Sequence, residues 1–226
     1  MKTIMILLMM LPFAAVAETT QGGIPLEVKW KHDLYDYAKA NVKHSIWGLA
    51  HSERNYSLAI KLAEREKLAV DKDVLFAAAF LHDIGAIEPF RVQGLDHAKR
   101  SVQLMEPLLK SYGLDDKMIA KVRETILAHM YDAELTPHGN EAVVFHDADA
   151  LDFLGDVGVV RIVGLTDHHA WAPNLVGALE TLQGWERELP TKLFTHSAKE
   201  VSKQRIEEMN KFFKILKNYS IGDVLI

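Results

Sequence analysis

Residues 74–81 read VLFAAAFL, an unbroken apolar run that passes directly into His82-Asp83. Asp71 and Asp73 stand ahead of it, where acidic residues favour a helix N-terminus, and Gly85 stands behind, where a helix can stop. A helix that is apolar on every side belongs in a protein interior. The imidazole and carboxylate at its end are then buried as well, and without partners they would cost several kcal/mol. A bound cation would relieve that cost.

Other segments repeat the device. Trp47, His51, Arg54, Leu58 and Leu62 follow one another at spacings of three or four, so His51 and Arg54 fall on a core-facing stripe. Leu75, Ala79 and His82 share one helix face, and Val122, Ile126 and His129 share another. In EAVVFHDADALDFLG, Asp149 lies one turn from Phe145 and Phe153. Strict period-two alternation is scarce, and prolines and glycines fall mostly between the helical stretches. The chain is therefore expected to be all-α, with helices near 28–41, 45–68, 72–84, 96–112, 116–131, 140–154, 156–166, 173–187 and 196–218. With 226 residues, 49% of them hydrophobic, and no repeat, it suits a single domain with one substantial core.

Charge and composition narrow the function. The 26 Lys+Arg and 31 Asp+Glu are scattered along the chain, for a net charge of −5, which gives no support to nucleic-acid or anionic-membrane binding. Cysteine is absent, so thiolate ligands, a Cys nucleophile and disulfides are excluded, and any metal must take nitrogen and oxygen. Residues 1–17 pair Lys2 with the apolar run Ile4 to Phe13 and then Ala15-Val16-Ala17, the order of a secretory signal peptide. Export is expected, most simply to a bacterial periplasm, with no membrane anchor once the signal is removed.

The dipeptide His-Asp occurs at His32-Asp33, His82-Asp83 and His146-Asp147, and only the second ends an apolar helix. The first sits in the polar segment KWKHDLYDY, which suits a solvated helix. Five segments in order resemble the HD superfamily of metal-dependent phosphohydrolases. They are HSERNYSLAIKLA, with His51 three residues before Arg54; AAAFLHDIG at His82-Asp83; GLDHAKRS at His97; ETILAH at His129; and DADALDFLG at Asp149. The later stretch LPTKLFTHSAKEVSKQR looks like the C-terminal helices of small bacterial members.

The resemblance implies an HD-domain helical bundle with its core over 45–165. An N-terminal helical segment at 18–44 would precede it, and C-terminal helices at 166–226 would pack on the same domain. It implies that His51, His82, Asp83 and Asp149 ligate a divalent ion, which could be Mn, Zn, Fe, Ni or Mg. In two-metal members Asp83 bridges to a second ion held by the positions of His97 and His129; otherwise those two touch substrate or the ligands of the first ion. The implied activity is hydrolysis of a phosphoester or phosphoanhydride in a small phosphate-containing substrate, nucleotides among them, with Asp83, Arg54 and Lys99 as catalytic residues. Two other readings stay open: a di-iron oxygenase built on a similar ligand set, and a non-catalytic module stabilised by its metal.

Arg54, one turn from His51, is placed either to grip a phosphate in a forked geometry or to form a buried ion pair with Asp or Glu. Lys99 and Arg100 add charge beside His97. Asp147 and Asp152 are expected to orient ligands or cap a turn. Many relatives carry Arg where this chain has Ala150, which leaves no substrate contact to expect there. His44, His168 and His169 read as surface or capping residues, and Lys211, Lys214 and Lys217 as a solvated face.

Overall fold

The computed structural model describes residues 18–218; the expected signal peptide at 1–17 lies outside the described residues, as do residues 219–226. The described chain is helical: α1 (Lys29–Asn41), α2 (Leu49–Glu66), α3 (Lys72–Leu81), α4 (His97–Ser111), α5 (Asp116–Leu127), α6 (Gly139–Asp152), α7 (Gly155–Val163), α8 (Leu175–Lys192) and α9 (His196–Asn218). A 3₁₀ turn, Ile84–Ala86, joins the end of α3 to the loop before α4. Among the described residues the only extended pairings are two isolated bridges, Thr19 with Pro25 and His169 with Ala172. The all-α, single-domain expectation holds.

The apolar run of α3 explains its place. Every residue from Val74 to Leu81 is at most 1% exposed. Leu75 and Ala79 face the core shared with α2, α6, α8 and α9, while Val74, Phe76, Ala77, Ala78, Phe80 and Leu81 face a second core built with α1, α4 and α5. Asp71 caps the helix, accepting from the backbone N–H of Asp73 and Val74. Lengthwise neighbours of α3 are α2 and α5, with α6 lying along α2. The end of α3 that carries His82 and Asp83 is thus held among α2, α5 and α6.

Several helix ends differ from the sequence expectation, the farthest that of α8, which runs to Lys192 and not 187, and three differences have a local reason. Helix α2 starts at Leu49 and not near 45, because the His44 ring accepts from the N–H groups of Ile46 and Trp47 and holds those residues in a turn. Helix α5 stops at Leu127, so His129 lies just past it with Nδ1 donating to the Ile126 carbonyl. Residues 18–26 form a turn, with Gly23 N–H donating to the Thr20 carbonyl and Thr19 bridged to Pro25, so helix occupies only the later part of the N-terminal segment. The polar look of KWKHDLYDY is also misleading in part: Lys31 is buried on the inner face of α1, and its ammonium pairs with Asp73 at 2.6 Å. Lys211, Lys214 and Lys217 are exposed, as expected.

Candidate metal centre

His51, in the first turn of α2, His82, at the end of α3, and Asp149, in α6, point to one place. The Nε2 atoms of His51 and His82 are 3.2 Å apart. Asp149 Oδ1 lies 3.1 Å from the first and 3.8 Å from the second. Asp83 Oδ2 lies 3.5 Å from His51 Nε2 and 3.1 Å from His82 Nε2. The other oxygen of Asp83 turns to a second group, with His97 Nε2 at 3.5 Å, His129 Nε2 at 3.7 Å, and those two nitrogens 3.3 Å from each other.

The far side of three rings fixes what the near side offers. His51 Nδ1 donates to Asp152 at 2.7 Å, His82 Nδ1 to the Ala79 carbonyl at 3.0 Å, and His129 Nδ1 to the Ile126 carbonyl at 2.6 Å. Carbonyls and carboxylates only accept, so each Nδ1 carries a hydrogen, and in the neutral ring that leaves the Nε2 lone pair facing inward. Lone pairs and carboxylate oxygens converge on each other, with the Asn55 amide as the donor between them, its Nδ2 2.8 Å from Asp149 Oδ1 and 3.2 Å from His51 Nε2. A cation answers that arrangement. Bonds of about 2.0–2.2 Å to one ion place tetrahedral donors roughly 3.3–3.6 Å apart, and most of the separations above fall in or near that range. The ligating atoms of His51, His82 and Asp83 all lie within 4.8 Å of one another, as do those of Asp83, His97 and His129. The donor set fits a divalent ion, and the cluster could hold one.

Electrostatics tell the same story. Burial and the Arg161 charge oppose protonation of His51, but its hydrogen bonds with Asp149, Asp152 and Asp83 outweigh them and raise its pKa to about 10. Without a metal, a proton sits where positive charge is demanded. Burial, aided by the His82 and His97 charges, lowers His129 to about 4. Burial also works against ionised Asp83 and Asp149, yet the surrounding imidazoles hold both below the usual carboxylate range.

Gly85 lets the second group assemble. A Cβ there would lie 2.4 Å from the His97 carbonyl oxygen and 2.7 Å from the Ser101 backbone nitrogen, so the start of α4 rests directly on the 3₁₀ turn. Ser101 Oγ accepts from Gly85 N–H at 2.9 Å and locks that approach. His97, the first residue of α4, is thereby set beside Asp83.

Other sequence expectations resolve differently. Arg54 turns its fork to Asp152: Nε and Nη2 donate to the two carboxylate oxygens at 2.9 and 2.8 Å, because that buried carboxylate lies one turn of α6 beyond Asp149. The ion-pair alternative describes it, and Arg54 does not line the cavity described below. Arg161, from α7, is buried and completes the ring around Asp152 at 2.8 Å. Asp152 therefore orients the His51 ring, whereas Asp147 caps a turn, accepting from Phe194 and Thr195 N–H ahead of α9. Arg100 binds the Phe90 carbonyl and Gln103, away from the ligands. Ala150 is a core residue, 1% exposed. Neither His32 nor His146 approaches the cluster: His32 pairs with Glu18, and His146 packs on Phe194.

A cavity of about 680 Å³ opens on Asp83, His97 and Asp149. Lys99 lines it, with its ammonium 3.4 Å from Glu134. Arg91 lines it too, and among the described residues its guanidinium has no hydrogen-bonding or ion-pair partner. Sequence reasoning missed Arg91, which sits in a loop with no periodicity to mark it. His169, expected as a capping residue, does accept from Trp171 N–H and also faces this cavity.

No curated protein is significantly similar to the chain. Among solved structures, Bacillus subtilis YpgQ in complex with ADP is similar with a TM-score of 0.64 and 22% identity, over 85% of this chain and 98% of that one. A predicted HD superfamily hydrolase from an uncultured Thermotogales bacterium gives 0.60 and 22%, over 84% and 92%. An HD-superfamily hydrolase from Bacillus thuringiensis gives 0.58 and 19%, over 84% and 94%. Those likenesses carry the fold, and the sequence of residues 48–154, which contains His51, His82, Asp83, His97, His129 and Asp149, matches the HD domain family.

Proposed function

We propose that the protein is a metal-dependent phosphohydrolase whose ions are held by His51, His82, Asp83 and Asp149 and by Asp83, His97 and His129. The observation that carries the reading is the division of Asp83, one oxygen to each histidine group, at the floor of a cavity lined by an unpaired guanidinium. A bound divalent ion lowers the pKa of a coordinated water from 15.7 toward about 7 and neutralises charge on phosphoryl oxygens.

The chain's own residues supply the rest. Asp152 holds His51 in the tautomer that leaves Nε2 free, and the Ala79 and Ile126 carbonyls do the same for His82 and His129. Arg91 is placed to bind phosphate as a fork, the part Arg54 cannot play. Lys99 adds charge at the rim in exchange with Glu134. The ADP bound by YpgQ, a structural neighbour at 22% identity, supports a phosphate-bearing ligand, nucleotides included.

The test is metal analysis of purified protein, followed by assays of phosphomonoesters, phosphodiesters and nucleotides with Mn, Zn, Ni, Fe and Mg. Asp83→Ala and His82→Ala are expected to lose metal and turnover together. Undiminished turnover in Asp83→Ala overturns the reading, as does oxygen-dependent turnover with iron and no phosphoester cleavage. We also propose export, on the ordered cation, apolar run and Ala15-Val16-Ala17 of residues 1–17. A mature chain starting at Glu18 in a periplasmic fraction is the expected mass-spectrometric result, and an intact Met1 there removes it.

A further inference from the structure

We infer that the cavity beside the metal centre is a subsite for the organic half of the substrate, and that it selects an uncharged planar ring. This rests on the phosphohydrolase reading for the position of the phosphate but not for the recognition of the ring.

Size comes first. A phosphoryl group on the ions needs only a corner of about 680 Å³, and the whole lies in the range of sites that enclose drug-sized ligands. Something larger than phosphate fits there.

One wall of the cavity is aromatic. Trp47, Phe153, His169 and Trp171 all line the cavity. Their rings meet at steep angles: Trp47 with His169 at 5.3 Å and 70°, Trp47 with Trp171 at 6.1 Å and 79°, and Phe153 with Trp171 at 5.8 Å and 90°. Each ring is held from behind or beside. His44 stacks on Trp47 at 3.9 Å and 7°, Trp185 packs on Trp171 at 5.1 Å, and the Arg161 guanidinium lies 4.5 Å over Phe153. The surface is thus formed before any ligand arrives, which limits the entropy lost on binding.

Perpendicular aromatic rings also suit a compact cation, so charge must decide between the two. Burial lowers the pKa of His169, and the nearby Arg91 charge lowers it further. Asp96, Asp132 and Glu134 also line the cavity, Glu134 paired with Lys99, and it is Arg91, without a carboxylate partner and acting on His169, that opposes an ammonium at this wall while drawing the phosphate. An uncharged ring meets no such penalty and gains edge and face contacts that an aliphatic group of equal area does not.

The experiment compares benzylphosphonate with cyclohexylmethylphosphonate, two non-hydrolysable probes alike in size and charge that differ in planarity, by titrating the tryptophan fluorescence of the metal-loaded protein. Benzylphosphonate is expected to bind about tenfold more tightly, as stacking on protein aromatics typically gives. Trp171→Leu is expected to bring the ratio toward one, and Trp171→Phe to restore part of it. Equal affinities in the unmodified protein, or no binding by either probe, overturn the inference whether or not Trp171→Leu folds. Hydrolysis of benzyl phosphate, assayed in parallel, keeps the two readings apart. Ring-selective binding without any hydrolysis sinks the phosphohydrolase reading alone, and hydrolysis without ring preference sinks the subsite alone.

Discussion

His51 Nδ1 and Asp152 Oδ2 stand 2.7 Å apart across 101 positions of chain, and through that bond the packing of α2 on α6 decides which nitrogen of His51 faces His82 and Asp149. Arg54 and Arg161 donate to the same carboxylate, and the charges around it hold Asp152 well below the usual carboxylate range even though burial opposes ionisation. Asp152→Asn keeps the shape but removes the negative charge and puts an N–H₂ among donors. Metal affinity is expected to fall by about 10–100-fold, as measured by competition with a chelator. Folding stability should fall by about 3–5 kcal/mol in a denaturant titration, because Arg161 is left as a buried, uncompensated charge. Unchanged metal affinity in a folded Asp152→Asn would show that this bond does not position His51.

Metal uptake should depend on pH through His51. Its pKa in the metal-free fold is about 10 against an ordinary 6.5, so at neutral pH it is charged and must release a proton to a metal. Affinity is therefore expected to rise by up to about tenfold per pH unit between pH 6.5 and 10 from this group. In the metal-free protein the raised pKa contributes stability that is whole below pH 6.5 and is lost as pH rises toward 10. His129, lowered to about 4, acts in the opposite sense: its contribution is present above pH 6.5 and lost as pH falls toward 4. Calorimetry in buffers of different ionisation enthalpy reads the released proton directly. Binding without proton release at pH 7.5 would contradict the charged state of His51.

The two histidine groups can be separated at Gly85. Gly85→Ala forces backbone of α4 away from the 3₁₀ turn, since the new Cβ would meet the His97 carbonyl and Ser101 nitrogen, atoms that no rotamer change can move. His97 should leave Asp83, while His51, His82 and Asp149 keep their places on other elements. The expected result is loss of the more weakly held ion and retention of the other, at a stability cost of about 1–3 kcal/mol. Metal counting by mass spectrometry of the native protein checks it, and full retention of both ions would refute this role of the glycine.

How much of this the sequence disclosed follows from where the information lies. His82 and Asp83 were legible because they end a helix with no polar face, and an unsolvated imidazole there demands an explanation at once. Helix positions were legible by the same periodicity, apart from ends set by single side chains such as the His44 ring that holds residues 45–48 in a turn. The partner of Arg54 was not legible: Asp152 and Asp147 look alike in DADALDFLG, and only the packing of α2, α6 and α7 gives one to the arginines and the other to the start of α9. The aromatic wall is a still more distant effect, since its rings come from positions 44–47 and 153–171 and none is unusual in its own segment.

The two arginines offer the clearest contrast between a contact that shapes the site and one that meets the substrate. Arg54 is half-exposed, lies off the cavity and shares Asp152 with Arg161 and His51, so Arg54→Ala leaves that carboxylate still doubly partnered. A loss of about 1 kcal/mol in stability is expected, with KM little changed. Arg91 gives nothing to the fold but a cavity wall, so Arg91→Ala should leave stability within about 0.5 kcal/mol. Its loss should instead lower kcat/KM for a phosphoester by about 10–100-fold, the worth of a hydrogen bond to a charged group. Arg91→Lys should recover only part, because a single ammonium cannot reproduce a fork on two phosphate oxygens. Steady-state kinetics beside denaturant melts for both variants decide the matter: if Arg54→Ala raises KM strongly while Arg91→Ala does not, the phosphate lies on the other side of His51 and the cavity is not where the substrate sits.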